Sequence, residues 1–248
     1  MIQKWDSKKY SKNASFVSTL GLPVLDLLAP KSSEKILDLG CGDGTLANEI
    51  QSFGCDVIGV DASDSMVAAT KKKGIPAFHQ RGENLEFYNQ FDAVFSNAAL
   101  HWMTDYNAVL TGVHSALKHR GRFVGEFGGY GNIQSITEAI DMVYRDNPQF
   151  GKYQSPWFFP SDSQYKALLE QHGFIVESCT LINRPTPLSA GIREWLTLFT
   201  EHATSLMTPA TKLSFFEQVE SLLKPALYSA DKGWVADYVR LRFSARKI

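Results

Sequence analysis

Apolar positions along this chain alternate between short runs with strand spacing and longer stretches with helical spacing. Ser11 to Leu28 carries Phe16, Val17, Leu20, Val24, Leu25 and Leu28 near a helical period, with Pro23 as a break or kink. A buried strand is expected over Lys35 to Leu39, a helix from near Thr45, and a second strand over Cys55 to Val60 that ends in Asp61. Ser63-Asp64-Ser65 reads as a capped helix start, and that helix runs out in Lys71-Lys72-Lys73-Gly74. Three lysines near a helix C-terminus complement its dipole and read as a solvated end. Strands follow at Ala77 to Gln80 and Phe91 to Ser96, then a helix from about Tyr106 to Lys118, the turn His119-Arg120-Gly121, and a fifth strand from Arg122 to Phe127.

The second half continues with helical spacing over Ile133 to Arg145 and Ser161 to Gln171, separated by the aromatic loop Pro156-Trp157-Phe158-Phe159-Pro160, which reads as core packing. A sixth strand opens at Gly173 and stops near Asn183, before the Arg184-Pro185-Thr186-Pro187 corner, because proline cannot extend a ladder. Two helical patterns, Ile192 to Ala203 and Pro209 to Leu223, precede a final strand over Trp234 to Phe243. Residues 187–231 are therefore expected as a helical cap inserted between strands six and seven of one domain spanning 1–248. Strands alternating with helices imply an α/β fold with a mostly parallel sheet.

The chemistry concentrates at Lys35 to Gly44, which reads Lys-Ile-Leu-Asp-Leu-Gly-Cys-Gly-Asp-Gly. Gly40, Gly42 and Gly44 permit a tight turn and close approach to a ligand between a strand and a helix. The first amides of that helix have no intrahelical partner and suit a carboxylate or phosphate. Asp61, ending the next strand about 20 residues on, fits the ribose-hydroxyl contact of a βαβ nucleotide fold. A dinucleotide fingerprint counted from Gly40 would place its third small residue at Thr45, which disfavours an NAD-dependent oxidoreductase.

Composition narrows the partners. At 248 residues, 44% hydrophobic and 21% charged, the chain suits one soluble α/β domain with an accessory piece. A net charge of −1 argues against a nucleic-acid partner, so small molecules become the expected substrates. Cys41, Cys55 and Cys179 include no CxxC pair, indicating neither a disulfide framework nor a zinc site, and no metal is expected. With no apolar leader and no run of membrane-spanning length, a cytoplasmic location away from membranes is expected.

The run Asp38-x-Gly40-x-Gly42-x-Gly44 resembles motif I of the class I S-adenosylmethionine-dependent methyltransferases. Ser96-Asn97-Ala98-Ala99-Leu100-His101-Trp102 and the loop Glu126-Phe127-Gly128-Gly129-Tyr130-Gly131-Asn132 are similar to stretches of the subgroup containing trans-aconitate methyltransferase and related small-molecule O-methyltransferases. The Asn/Asp-Pro-Pro-Tyr/Phe sequence of DNA-adenine enzymes is absent at this place. The resemblance implies a Rossmann-like seven-stranded sheet with its last strand antiparallel, helices on both faces, and residues 1–30 as an N-terminal helical lid over the cofactor. For Trp5 and Tyr10 the alternative is a hydrophobic tether.

The resemblance also implies S-adenosyl-L-methionine as cofactor and methyl transfer to a small molecule, with an acidic acceptor giving a methyl ester. A hydroxyl, amine or carbon acceptor, or a silent cofactor-binding protein, stays open. Asp38, Gly40, Cys41, Gly42 and Gly44 would hold the methionine part and Asp61 with Ala62 the ribose side. Where the class carries an acid and a small residue against adenine, this chain has Arg81 and Gly82, so Gly82 or Glu83 would serve there, or Glu83 is a surface loop residue. Asn97 would lie at the methyl-transfer side. His101 is a base, a contact to an acidic substrate, or packing beside Trp102; Tyr10, Trp102, Asn132 and Arg184 are further substrate-side candidates.

Overall fold

The structure is a computed structural model in which residues 21–248 are described; Trp5, Tyr10 and most of the expected lid lie outside them. The first helix among the described residues, α1 (Leu22–Leu28), has Pro23 in its opening turn, where the missing N–H is not needed and the fixed φ favours the helix. Pro23 thus lies in the opening turn of this helix, at the place where the sequence suggested a break or kink.

The chain divides into two compact units. The first is formed by residues 21–130, 157–182 and 240–248, and the second by 131–156 and 183–239. The first unit contains β1 (Lys35–Leu39), α2 (Thr45–Ser52), β2 (Asp56–Asp61), α3 (Asp64–Lys72), β3 (Ala77–His79), β4 (Phe91–Asn97), α4 (Tyr106–Ala116) and β5 (Leu117–Gly128). It also holds α6 (Asp162–Gln171), which follows the second unit's α5 (Gln134–Asp146), together with β6 (Phe174–Asn183). The last strand is β10 (Val239–Lys247). The sheet order is β3-β2-β1-β4-β5-β10-β6, parallel from β3 through β5, with β10 antiparallel to β5. This is the expected Rossmann-like seven-stranded sheet. Successive strand residues face opposite sides, which yields two apolar cores. Ile36, Val57, Ala93, Phe95 and Val124 pack with Val24, Leu28 and Ile50. Leu37, Leu39, Val94, Phe123, Phe127 and Phe243 pack with Val109, Leu110 and Val113.

Two strand boundaries differ from expectation. β5 begins at Leu117, and the expected turn at His119–Gly121 lies inside it as an irregularity between the pairs Phe91↔Leu117 and Ala93↔Arg122, with Arg120 at φ 61°. The stretch from Trp234 to Phe243 is two strands. Its first part is β9 (Gly233–Ala236), the centre of a small antiparallel sheet with β7 (Thr186–Pro187) and β8 (Tyr228–Ser229) in the second unit. The chain leaves that ladder at Asp237, whose carboxylate accepts from Ser135 N (2.8 Å) and whose carbonyl accepts from Ile133 N (2.9 Å).

The second unit contains helices α7 (Gly191–Phe199), α8 (Glu201–Thr204) and α9 (Pro209–Leu227), and α5 lies against α9 with Tyr144 and Phe215 in edge contact. The single helix expected over 192–203 divides at Thr200, whose hydroxyl bonds back to Leu196 O at 2.6 Å. Among the described residues no helix is long and apolar enough to cross a membrane.

One ionic cluster fixes the entry into the sheet. Arg122 on β5 meets the Glu34 carboxylate with both terminal nitrogens (2.8 and 2.7 Å), and its Nε caps Leu28 O at 2.7 Å. The Arg122 hydrogen bond holds the Glu34 carboxyl below its ordinary pKa against the opposing effect of burial. Removing one member leaves a charge and the α1 carbonyls unsatisfied, so Arg122→Ala should cost about 3 kcal/mol, read as a lower urea midpoint. Glu34→Gln, which keeps one acceptor, should cost less.

Candidate functional site

The sheet order reverses between β1 and β4, and in open α/β sheets ligands bind at the carboxyl ends of the strands flanking such a point. The loop leaving β1 is held there by a series of short-range constraints. Gly40, Gly42 and Gly44 all adopt left-handed backbone (φ 76°, 55° and 78°). A Cβ at Gly40 would come within 2.2 Å of Ala99 Cβ, whereas one at Gly42 would meet nothing within 4 Å. Gly40 is thus required by packing, and Gly42 leaves open space on the loop.

Asp61 closes the loop from the neighbouring strand. Its Oδ2 accepts from Gly42 N (3.0 Å) and its Oδ1 from Ser63 N (2.9 Å). Thr70, on the last full turn of α3, donates its hydroxyl to Gly42 O at 2.8 Å. Cys41 turns its thiol into the interior, 3.6 Å from Thr70 Oγ1, and its amide bonds Val60 O. Burial first, and then the charges of Asp38 and Asp61, push that thiol's pKa up, as for a buried, unreactive cysteine.

The start of α2 departs from expectation. Asp43 Oδ1 accepts from Thr45 N (3.1 Å) and Thr45 Oγ1 (2.8 Å), so the helix's first amide is satisfied from within the chain. Lys73 reaches Asp43 Oδ2 (3.1 Å) and Thr45 Oγ1 (2.6 Å). Lys73 is exposed, as the solvated-end reading expects, and is in addition tied to the loop. Burial raises the Asp43 pKa, but the bonds from Thr45 and Lys73 outweigh it and hold the carboxyl below its ordinary value.

Asp38 has no such relief. It is buried at the end of β1, between Gly59 of β2 and Phe95 of β4 in register. Burial first, then the charges of Asp61 and Asp43, push its pKa up to about 8. Asp61 is raised by burial too, with the Ser63 and Gly42 amides opposing the shift. A positively charged ligand group is what this cluster of acids lacks.

At the end of β4, Asn97 pairs in register with Glu126 of β5, and Ala98 adopts φ 56° while its amide bonds Glu126 O at 2.7 Å. The following turn carries His101, only 8% exposed, with its ring 5.5 Å from Trp102 and 5.8 Å from Phe159. Gly128 N donates to His101 Nδ1 at 3.3 Å, which places the proton of the neutral ring on Nε2. Burial, and then the nearby Arg240, hold its pKa well below the usual histidine range.

Comparison with known proteins identifies the family. Residues 37–125 match the family of methyltransferase domains. The chain is 38% identical to an uncharacterized methyltransferase of Schizosaccharomyces pombe, with 98% of each chain covered. The chain belongs to the class I S-adenosylmethionine-dependent methyltransferases. It is also 30% identical to the trans-aconitate 2-methyltransferase of Mycobacterium marinum, over 78% of this chain and 76% of that one. The same fold occurs in the phosphoethanolamine N-methyltransferase 2 of Haemonchus contortus in complex with S-adenosyl-L-methionine, at 21% identity and a TM-score of 0.58, covering 92% of this chain and 52% of that one.

The cofactor of this methyltransferase is therefore S-adenosylmethionine, and the NAD reading falls away. The loop's chemistry is compatible with such a ligand: burial raises the pKa values of Asp38 and Asp61, which a cationic group would oppose, and Gly42 leaves open space. Ala62 sits beside this cluster, its carbonyl 2.9 Å from His79 Nε2. Gly82 opens a short 3-10 turn and is packed so tightly that a Cβ would lie 2.4 Å from Met103 Sδ. Glu83 is paired with Arg81 at 3.1 Å, so the basic residue at the usual acidic position is neutralised by the acid two places on.

Asn132 and Arg184 belong to the second unit, where Asn132 is buried with its Oδ1 on Val239 N (3.0 Å) and Arg184 N bonds Tyr238 O (2.8 Å). Tyr10 lies outside the described residues. Sequence reasoning passed over Met103 and Thr70, took Lys73 only as a solvated helix end, and took the aromatic loop only as core packing; in that loop Trp157 stacks on Phe159 and meets Trp102 edge-on (5.5 Å). The last had a visible signal in its aromatic run beside a histidine-tryptophan pair; the others are tertiary contacts with no local signature.

Asp38 gives a pH prediction. Its folded pKa lies above the unfolded value of 3.8, so between 3.8 and about 8 the native state binds the extra proton. The stability this contributes is fully present below 3.8 and is lost as pH rises through about 8. In the cofactor-free enzyme, Asp38→Asn should flatten the fall in thermal midpoint between pH 5 and pH 8.5. Equal slopes in the two proteins would show Asp38 to be ionised throughout.

Proposed function

We propose that this methyltransferase methylates a carboxylate oxygen of a small acidic molecule. The observation that carries the reading is the Gly128 N–H on His101 Nδ1, which leaves the buried imidazole a hydrogen-bond donor at Nε2 with no free acceptor nitrogen. A donor suits an acceptor that arrives as an anion, whereas a phenol, alcohol or amine calls for a base. The nearby positive charge of Arg240 and the similarity to trans-aconitate 2-methyltransferase support the same acceptor class.

In this reading the bound cofactor supplies an electrophilic methyl on a sulfonium. A carboxylate acceptor would form the new O–C bond as the C–S bond broke with its pair left on sulfur, so both charges would vanish and the chain would need to move no proton. The chain's part is alignment and water exclusion, worth about 7 to 11 kcal/mol when geometry is near ideal. Asp38, Gly40, Cys41, Gly42 and Gly44 would hold the methionine part, Asp38 opposite its ammonium, Asp61 with Ala62 would take the ribose hydroxyls, and Gly82 with Glu83 would border adenine. Asn97, His101 and Trp102 border the transferred methyl, and Trp157 with Phe159 walls the imidazole.

Asp61→Ala should weaken S-adenosylhomocysteine binding in calorimetry by about 30-fold, since it removes charge-assisted hydrogen bonds worth about 2 kcal/mol. Unchanged affinity would remove Asp61 from the ribose role. For the acceptor, label transfer from methyl-tritiated cofactor to a panel of carboxylic acids, phenols and amines should give base-labile label on an acid. His101→Ala should lower kcat/KM about 10- to 100-fold while the pH–rate profile keeps no ascending histidine limb. Base-stable label on an amine or phenol, or an ascending limb that disappears in the variant, would make His101 a base and overturn the carboxylate reading.

A further inference from the structure

The backbone amides of the loop from Gly40 to Thr45 are almost all engaged within the protein. Gly40 N and Cys41 N bond Val60 O (2.8 and 3.0 Å), Gly42 N bonds Asp61 Oδ2 (3.0 Å), Gly44 N bonds Cys41 O (3.0 Å) and Thr45 N bonds Asp43 Oδ1 (3.1 Å). Among the described residues, the N–H of Asp43 is the one amide in this stretch with no acceptor. It belongs to the same peptide unit as Gly42 O, and that oxygen is held by Thr70 Oγ1 at 2.8 Å. In a trans peptide the carbonyl and the N–H point in opposite directions, and the chain has no cis bond among the described residues. With its oxygen drawn toward α3, the peptide directs the Asp43 N–H away from α3. At this peptide Gly42 leaves open space, since a Cβ there would meet nothing within 4 Å.

The residue carrying this amide is fixed from its side chain as well. Asp43 is bonded to Thr45 on one oxygen and to Lys73 on the other, and Lys73 also bonds Thr45. Thr70 is fully buried, and a Cβ at Gly44 would come within 2.9 Å of it, so the end of α3 is packed directly onto the loop. We infer that Thr70 and Lys73 are positioning residues for the cofactor, holding the Asp43 peptide so that its N–H is the loop's amide donor to an anionic or acceptor group of the bound ligand. This rests on the loop being the cofactor site; neither residue touches the ligand itself.

The test uses the full chain and S-adenosylhomocysteine as probe. Amide hydrogen exchange by NMR in the free protein should show Gly42 and Gly44 protected and Asp43 exchanging faster. Saturating ligand should slow exchange at Asp43 at least about tenfold. Thr70→Val, which keeps the shape and removes the donor, should abolish that added protection and weaken ligand binding about tenfold, while Thr70→Ser restores both. Lys73→Met should weaken binding and Lys73→Arg should retain it. A merely structural role would lower the thermal midpoint without moving affinity or the Asp43 exchange rate. If ligand binds and changes exchange at Gly40–Gly44 but not at Asp43, or if Thr70→Val retains both readouts, the inference is overturned and the loop reading survives. If ligand binds without affecting any of these amides, the loop reading itself fails.

Discussion

A single carboxylate, that of Asp61, ties the ends of two strands into one cradle. It reaches from β2 to the Gly42 amide of the neighbouring loop while its other oxygen caps the turn into α3 at Ser63. Because the glycines around it have left-handed backbone, the loop would otherwise have many conformations of similar energy. The Asp61 and Thr70 contacts hold the amide and the carbonyl of Gly42, reducing that freedom before any ligand arrives. The cost is electrostatic. Three acids converge on a partly dry region; Lys73 pairs with Asp43, while burial raises the pKa values of Asp38 and Asp61. The loop is thus organised in shape while its acids are costly to ionise, a charge balance that a cationic ligand would improve.

The imidazole of His101 is organised by comparable logic. Its neighbour Gly128 comes from the end of β5, so the tautomer of a side chain after β4 depends on the pairing of two adjacent strands. Aromatic rings around it exclude water and suppress a charged form. A histidine in this setting differs from one poised to shuttle protons near neutrality.

Much of this could be read from the sequence because the signals were local. The strand from Lys35 to Leu39, the glycine spacing after it, Asp61 at the end of the next strand and the alternation of helices and strands are patterns of neighbours, and each lies where the periodicity placed it. What escaped depended on residues distant in the chain. Lysine at position 73 looks like any helix-end lysine until Asp43 is beside it, and Trp234 to Phe243 looks like one strand until Asp237 is drawn to Ser135 and Ile133. The tautomer of His101 had no sequence signature either, since it is set by a backbone amide.

The near-contact between Gly40 and Ala99 has a consequence for how such a chain can change. A side chain on the first would overlap the methyl group of the second, and a larger residue at the second would crowd the first. The turn leaving β1 and the turn leaving β4 are therefore one steric object divided between two distant parts of the gene. Substitutions in either are conditional on the other, and a route from this cradle to one of different shape must pass through paired replacements.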